Sequence, residues 1–148
     1  MSGDLDLVRQ LAAADQGLAV VSTTRPDGTV HSSVVNAGVF DHPLTKEPTV
    51  ALVAQGSAYK LRLFTAAGRA NAVFRSGWQW VSVEGPVDMI GPDHRAAGFP
   101  PTELPQLLRD IFTAAGGTHD NWAEYDRVMA EERRTAVFIT PARITTNR

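Results

Sequence analysis

Cysteine is absent from the 148 residues. That absence excludes disulfides, thiolate nucleophiles and cysteine-ligated zinc sites. Lysine is nearly absent, with Lys46 and Lys60 standing against twelve arginines. An excess of positive charge is missing as well. The formal net charge is −2, which argues against a general nucleic-acid binder. No stretch approaches the roughly 20 apolar residues of a membrane span. The start, MSGDLDLVRQLAAADQG, is acidic and amphipathic and lacks the basic and apolar segments of a secretory signal. The expected location is therefore the cytoplasm.

Catalytic signatures are also lacking. No GxGxxG, GxxxxGK[ST] or GxSxG occurs, so dinucleotide, P-loop and serine-elbow chemistry have no motif to rest on. His31, His42, His94 and His119 are spread singly, without metal-ligand spacing. His42 and His94 read as solvated loop residues beside Asp or Pro, and His31 falls on a strand. Glu84 reads as an outward or barrel-end ion-pair partner, and Glu131–Arg134 as a solvated helix end. No pair of carboxylates suggests acid–base work. An enzyme built from these side chains would need a bound organic cofactor for the hard chemistry.

What is present reads as one domain over residues 1–148, large enough to bury roughly 70% of its unfolded surface. The spacing of Leu5, Val8, Leu11 and Ala12 predicts a helix over 4–14 that stops at Gly17. LAVVSTT and TVHSSVVNAGVF flank the turn RPDG and predict a hairpin over 18–40. TVALVAQ is nearly all apolar, so a third strand is expected to be buried on both faces. SAYKLRLFTAAG suits a helix with Ser57 as N-cap and Gly68 as its stop. RANAVFR and WQWVSVEGPVDMI predict a fourth and a fifth strand, with a bulge or bend at Gly85-Pro86. Helices are expected over 102–115 and 120–132. RTAVFITPARI predicts a last strand, interrupted at Pro141 and continuing at a sheet edge. Neighbouring strands joined by short turns favour an antiparallel barrel with helical decoration.

The placement of Lys60 in QGSAYKLR is the most informative polar feature. It stands where a strand ends and a helix begins. A helix N-terminus offers free N–H groups and partial positive charge, which suits an anion. Lys60 and Arg62 add full charges and Ser57 a hydroxyl, and charge-assisted contacts to phosphate are the stronger kind. Trp78 and Trp80 share one face of the fifth strand. Arg133 and Arg134 are adjacent at a strand start, so at most one of them faces a given site.

Five segments in order, GLAVVSTTRPDGTVHSSVV, KLRLFTAAGRANAVF, GWQWVSVEGPVDMI, a helical insertion and ERRTAVFITPARI, span nearly the whole chain. Together they resemble the pyridoxamine 5′-phosphate oxidase-like split β-barrel superfamily. Within it they resemble the actinobacterial oxidoreductases that use the deazaflavin coenzyme F420. The resemblance implies a mainly β fold with helices (α+β): a split β-barrel of the FMN-binding type, with about six antiparallel strands. It implies a homodimer with two cofactor sites at the subunit interface. It implies ring contacts at Ser33 and Val35 and phosphate contacts around Gln55, Ser57, Lys60 and Arg62. It also implies a wall residue at Trp78 that reaches the partner's site, and a tail contact from the Arg133–Arg134 pair, assigned to Arg134. The implied activity is hydride transfer from F420 to a small or medium organic acceptor. An FMN-dependent flavoprotein of the same fold, or a non-catalytic F420 or flavin carrier, is the alternative. No catalytic residue and no metal site is implied.

Overall fold

The computed structural model describes residues 4–148. Helix α1 (Leu5–Ala14) opens on Asp4, whose carboxylate accepts from the Leu7 N–H at 3.0 Å. Satisfying that otherwise unpaired donor fixes the helix start. Leu7, Val8, Leu11 and Ala12 form its buried stripe, the same three- and four-residue spacing visible in the sequence.

Strands β1 (Leu18–Thr24) and β2 (Val30–Asp41) form the hairpin, in register from Leu18↔Asn36 to Thr24↔Val30. Beyond Asn36, β2 leaves β1 and pairs with β3 (Pro48–Ala54), from Ala37↔Leu52 to Asp41↔Pro48. Helix α2 (Tyr59–Ala67) ends at Gly68, whose φ of 70° supplies the left-handed stop. Strands β4 (Arg69–Ser76) and β5 (Gln79–Ile90) follow, then helices α3 (Leu104–Ala114) and α4 (Trp122–Glu131), then β6 (Thr135–Ile139) and β7 (Arg143–Thr146).

The sheet runs β4-β1-β2-β3-β6-β5-β7, and β4 also pairs with β5. Six antiparallel strands therefore close into a barrel, with β7 added at the free edge of β5. The first half of β5 lies between β4 and β7, and its second half pairs with β6. Thr140, Pro141 and Ala142 stand opposite only Gly85 and Pro86, one residue more than their partners. That is a bulge, and a Cβ at Gly85 would lie 1.8 Å from the Thr140 carbonyl oxygen. The extra residue thus lies in the facing segment, β5 runs on through Gly85-Pro86, and Gly85 is required by the close crossing.

Two cores share the central strands. Val21, Leu52, Phe74, Val81, Val83 and Val137 fill the barrel interior, closed off by α1 and by Leu61 and Phe64 of α2. Ala51, Ala136 and Phe138 face outward against Leu107, Leu108 and Ile111 of α3 and Tyr125 of α4. Alternate residues of β3 and β6 feed opposite cores, which is why both strands are nearly continuous apolar runs.

Several expectations need correction. The helix after β3 begins one residue later than expected. Ala58, with φ −63° and ψ 135°, is the N-cap and no side chain caps it, so Ser57 does not. The 102–115 helix opens as a 3₁₀ turn over Pro101–Glu103, and the helix expected over 120–132 spans Trp122–Glu131, capped by Asn121. Trp78 lies in the β4–β5 turn, outside the strand. His42 is not solvated: it is only 4% exposed. Its Nδ1 accepts from the N–H groups of Leu44 and Thr45, so Nε2 carries the proton and donates to Asp88 at 2.8 Å. The ring also packs on Phe138. His94 is half-buried, and its enclosed Nδ1 has no partner among the described residues.

Candidate functional site

The barrel parts where β2 changes partners. Val34, Val35 and Asn36 stay with β1, while Val53, Ala54 and Gln55 at the end of β3 continue without β2 beside them. Between them opens a cleft of about 1230 Å³. Helices α1, α3 and α4 supply its other walls. Close backbone packing fixes those walls. Cβ atoms at Gly17 and Gly38 would lie 2.1 and 2.2 Å from the carbonyl oxygens of Ala115 and Ala114, so the end of α3 rests directly on the β2 backbone.

The charged lining is one-sided. Arg9, Lys60 and Arg134 contribute to it, and no carboxylate among the described residues does. Lys60 is the second residue of α2 and makes no hydrogen bond or ion pair among the described residues. Burial pushes its ammonium below the usual lysine range, and the nearby Arg134 guanidinium pushes it the same way. Arg134 pairs with Glu132 at 2.8 Å, and Arg9 with Asp6 at 2.7 Å on the surface.

Gly56 brings the two halves of this cationic corner together. Its N–H donates to the Glu132 carbonyl at 3.0 Å, and a Cβ there would lie 2.5 Å from the Arg133 carbonyl oxygen. The β3–α2 turn thereby docks on the α4–β6 connection. Arg133 takes a left-handed φ of 49°. It holds Asp93 through two hydrogen bonds, one of 3.0 Å, while its neighbour Arg134 lines the cleft. Adjacent arginines thus serve different partners, and the left-handed turn at Arg133 is what sends them apart.

The cleft brings together Val35, Gln55, Lys60 and Arg134 of the residues singled out in the sequence. The others lie elsewhere. Arg62 is exposed and stacks over the Tyr59 ring at 5.3 Å. Two residues on a helix differ by about 200°, so Lys60 and Arg62 point to opposite sides. Ser57 is exposed in the turn before α2. Ser33 stands opposite Val21, and its enclosed hydroxyl has no hydrogen-bond partner among the described residues. Trp78 is 94% exposed at a hairpin tip.

Sequence reasoning missed Phe112, Tyr125 and Met129, which line the cleft from α3 and α4. They were legible only as part of two apolar helical stripes. Phe112 and Tyr125 have ring centroids 5.0 Å apart. Tyr125 donates to the Leu108 carbonyl at 3.1 Å, and burial pushes its phenol up to about 12. It therefore stays protonated at neutral pH and its hydrogen is already committed.

No family model and no curated protein matches the chain. Solved structures do. A conserved hypothetical protein from Mycobacterium tuberculosis is similar with a TM-score of 0.69 and 16% identity, over 97% of this chain and 84% of that one. An F420 reductase gives 0.61 and 12%, over 89% and 91%. A pyridoxamine 5′-phosphate oxidase-related, FMN-binding protein from Nostoc punctiforme gives 0.65 and 10%, over 95% and 78%. Identities this low establish shared architecture. The chain has the α+β fold of the pyridoxamine 5′-phosphate oxidase-like split β-barrel, with six closed antiparallel strands, one added strand and four α-helices.

Proposed function

We propose that the protein is an oxidoreductase that binds a phosphate-bearing flavin-type cofactor in this cleft, with coenzyme F420 as the leading candidate and a small or medium organic molecule as acceptor. One observation carries the reading. In a chain of net charge −2, the described residues of the cleft include three cations and no carboxylate, and Lys60 has no partner among them. A partly buried ammonium beside a guanidinium is unfavourable until an anion joins them. A phosphate meeting Lys60 and Arg134 relieves both the desolvation and the repulsion. The α2 N-terminus, free of any side-chain cap, presents its N–H groups in the same region.

The apolar residues Val35, Val39 and Ala54 suit a flat ring, with Gln16, Asn36 and Gln55 as amide partners at its edge. When bound, the cofactor supplies the hydride. The chain's own residues orient it, hold its phosphate and exclude water. Arg9 favours F420 over FMN as the ligand. A surface pair such as Arg9–Asp6 is worth about 0–1 kcal/mol, so Arg9 exchanges readily to a ligand carboxylate. A ligand with several separated negative charges uses all three cations.

A homodimer is part of this reading. Leu18 and Val20 on β1 and Val30 and Val34 on β2 are exposed, with Val20 directly opposite Val34. Outward apolar residues on paired strands suit a second copy. In such a dimer Trp78 and Arg62, exposed in one chain, become available to the partner's site.

The deciding experiment titrates F420 and FMN separately into the purified protein and follows ring fluorescence. Tight F420 binding that is lost in Lys60→Ala supports the reading. Tight FMN binding with no response to F420 replaces the cofactor, and absence of binding by either overturns the reading.

A further inference from the structure

Helix α4 ends on a residue that its geometry does not favour. The Arg133 N–H donates to the Ala130 carbonyl at 3.1 Å, and the Arg134 N–H to the Met129 carbonyl at 2.9 Å. This is the paired-bond helix end whose left-handed position is usually glycine. Here that position is Arg133, at φ 49°. A side chain there strains the backbone, and such strain persists where the surroundings make use of it.

The Arg133 guanidinium holds Asp93 through two hydrogen bonds, across 40 positions of chain. Asp93 is itself firmly seated. It lies in the turn from Gly91 to His94, closed by backbone hydrogen bonds in both directions at 3.0 and 3.1 Å. A Cβ at Gly91 would lie 2.5 Å from the Thr135 Oγ1, so this turn rests on the first residue of β6. The neighbours of Arg133 face the cationic corner. The Glu132 carbonyl accepts from Gly56, in the turn that leads to Lys60, and Arg134 lines the cleft. We propose that Asp93 and Arg133 are positioning residues: they tie the α4–β6 connection to the end of β5 and so set the placement of Lys60 and Arg134 around the cofactor phosphate. The proposal rests on the cofactor reading above.

Charge alone predicts the opposite effect. Neither Asp93 nor Arg133 lines the cleft. The Arg133 hydrogen bonds hold the Asp93 carboxyl below the usual carboxylate range, so it is charged at neutral pH. A carboxylate near an anion site repels the anion, and by charge alone its removal strengthens anion binding. A binding group held by its supporting contacts loses affinity when those contacts go. The two readings of Asp93→Ala therefore differ in sign.

The test titrates F420 and FMN into Asp93→Ala, Arg133→Gly and the double variant. Each cofactor is compared with its phosphate-free counterpart, the deazaflavin bearing only the ribityl chain and riboflavin. Hydrogen exchange of the Gly56 amide is followed in parallel. Asp93→Ala is expected to bind the phosphate-bearing cofactor about threefold or more weakly, with its counterpart little changed. Arg133→Gly is expected to show the same loss while melting no lower than the wild type, because glycine suits φ 49°. The double variant is expected to lose no more than either single one, since both break the same tie. Gly56 exchange is expected to quicken in all three. Unchanged or tighter cofactor binding in Asp93→Ala, additive losses in the double variant, an equal loss with the phosphate-free counterparts, or unchanged Gly56 exchange each overturns the proposal. Failure of the cofactor reading shows separately, as a wild-type protein that binds neither F420 nor FMN while Gly56 exchange still responds to Asp93→Ala; that result sinks the cofactor and retains the tie.

Discussion

Lys60 is a residue whose cost in the empty protein is the measure of its use. Replacing it with Ala is expected to weaken binding of the phosphate-bearing cofactor more than tenfold, a loss of about 1.4 kcal/mol or more. Calorimetric or fluorescence titration reads this directly. The cofactor-free variant is expected to melt no lower than the wild type, because the substitution removes a desolvated cation that faces Arg134. The pH dependence follows. The folded-state pKa is depressed, so the unfolded chain binds the proton more readily and stability rises as pH climbs towards the unfolded value of 10.5. The stability of Lys60→Met relative to wild type is therefore expected to be greatest at neutral pH and to shrink as pH rises towards 10.5, measured as urea midpoints. Lys60 was legible in the sequence because lysine is so rare there and because it sits at a strand-to-helix junction. Arg62 was not separable from it by spacing to a charge alone. Only the helical angle sends one into the cleft and the other onto Tyr59.

At the scale of elements, the contact between α3 and β2 shapes the cleft. Gly38 has an ordinary backbone conformation, so its requirement is spatial: Ala114 carbonyl oxygen stands 2.2 Å from the position of a Cβ. Gly38→Ala is expected to cost about 1–3 kcal/mol by overpacking. At about 2–4 °C per kcal/mol for a protein of this size, the melting temperature falls by roughly 2–12 °C in a thermal scan. The strands and helices were readable from periodicity, turn residues and glycine stops. The glycine at 38 carried no such signal, because its cause is the end of a helix remote in the chain, at Ala114. Ser57 misled for a related reason. A hydroxyl near a helix start is a good cap by propensity, but the turn closed by the Ala58 N–H to the Gln55 carbonyl starts the helix one residue later. The buried His42 was hidden likewise, since its partners Asp88 and Phe138 lie on strands distant in the chain.

At the scale of the molecule, the exposed β1–β2 face carries the expectation of a dimer. Light scattering is expected to give twice the 16.0 kDa chain mass. Val34→Glu, which sets a charge opposite Val20 on a residue 66% exposed, is expected to yield monomers without loss of fold by circular dichroism. Retention of the dimer in that variant places the contact elsewhere. The barrel itself was legible from a run of strands joined by short turns. Its cleft was not, because the opening arises from β2 changing partners at Asn36, and periodicity within one strand carries no record of its neighbours.

The docking of Gly56 on Arg133 has a consequence for biosynthesis. The cationic corner is assembled from two stretches of chain, one near residue 55 and one near residue 134, joined across a backbone contact that has no room for a side chain. A ribosome-bound fragment that stops before the α4–β6 connection holds the lysine but not the guanidinium beside it. The cationic corner is therefore a late feature of the growing chain, complete only after residue 134 has emerged and the α4–β6 connection has docked on Gly56.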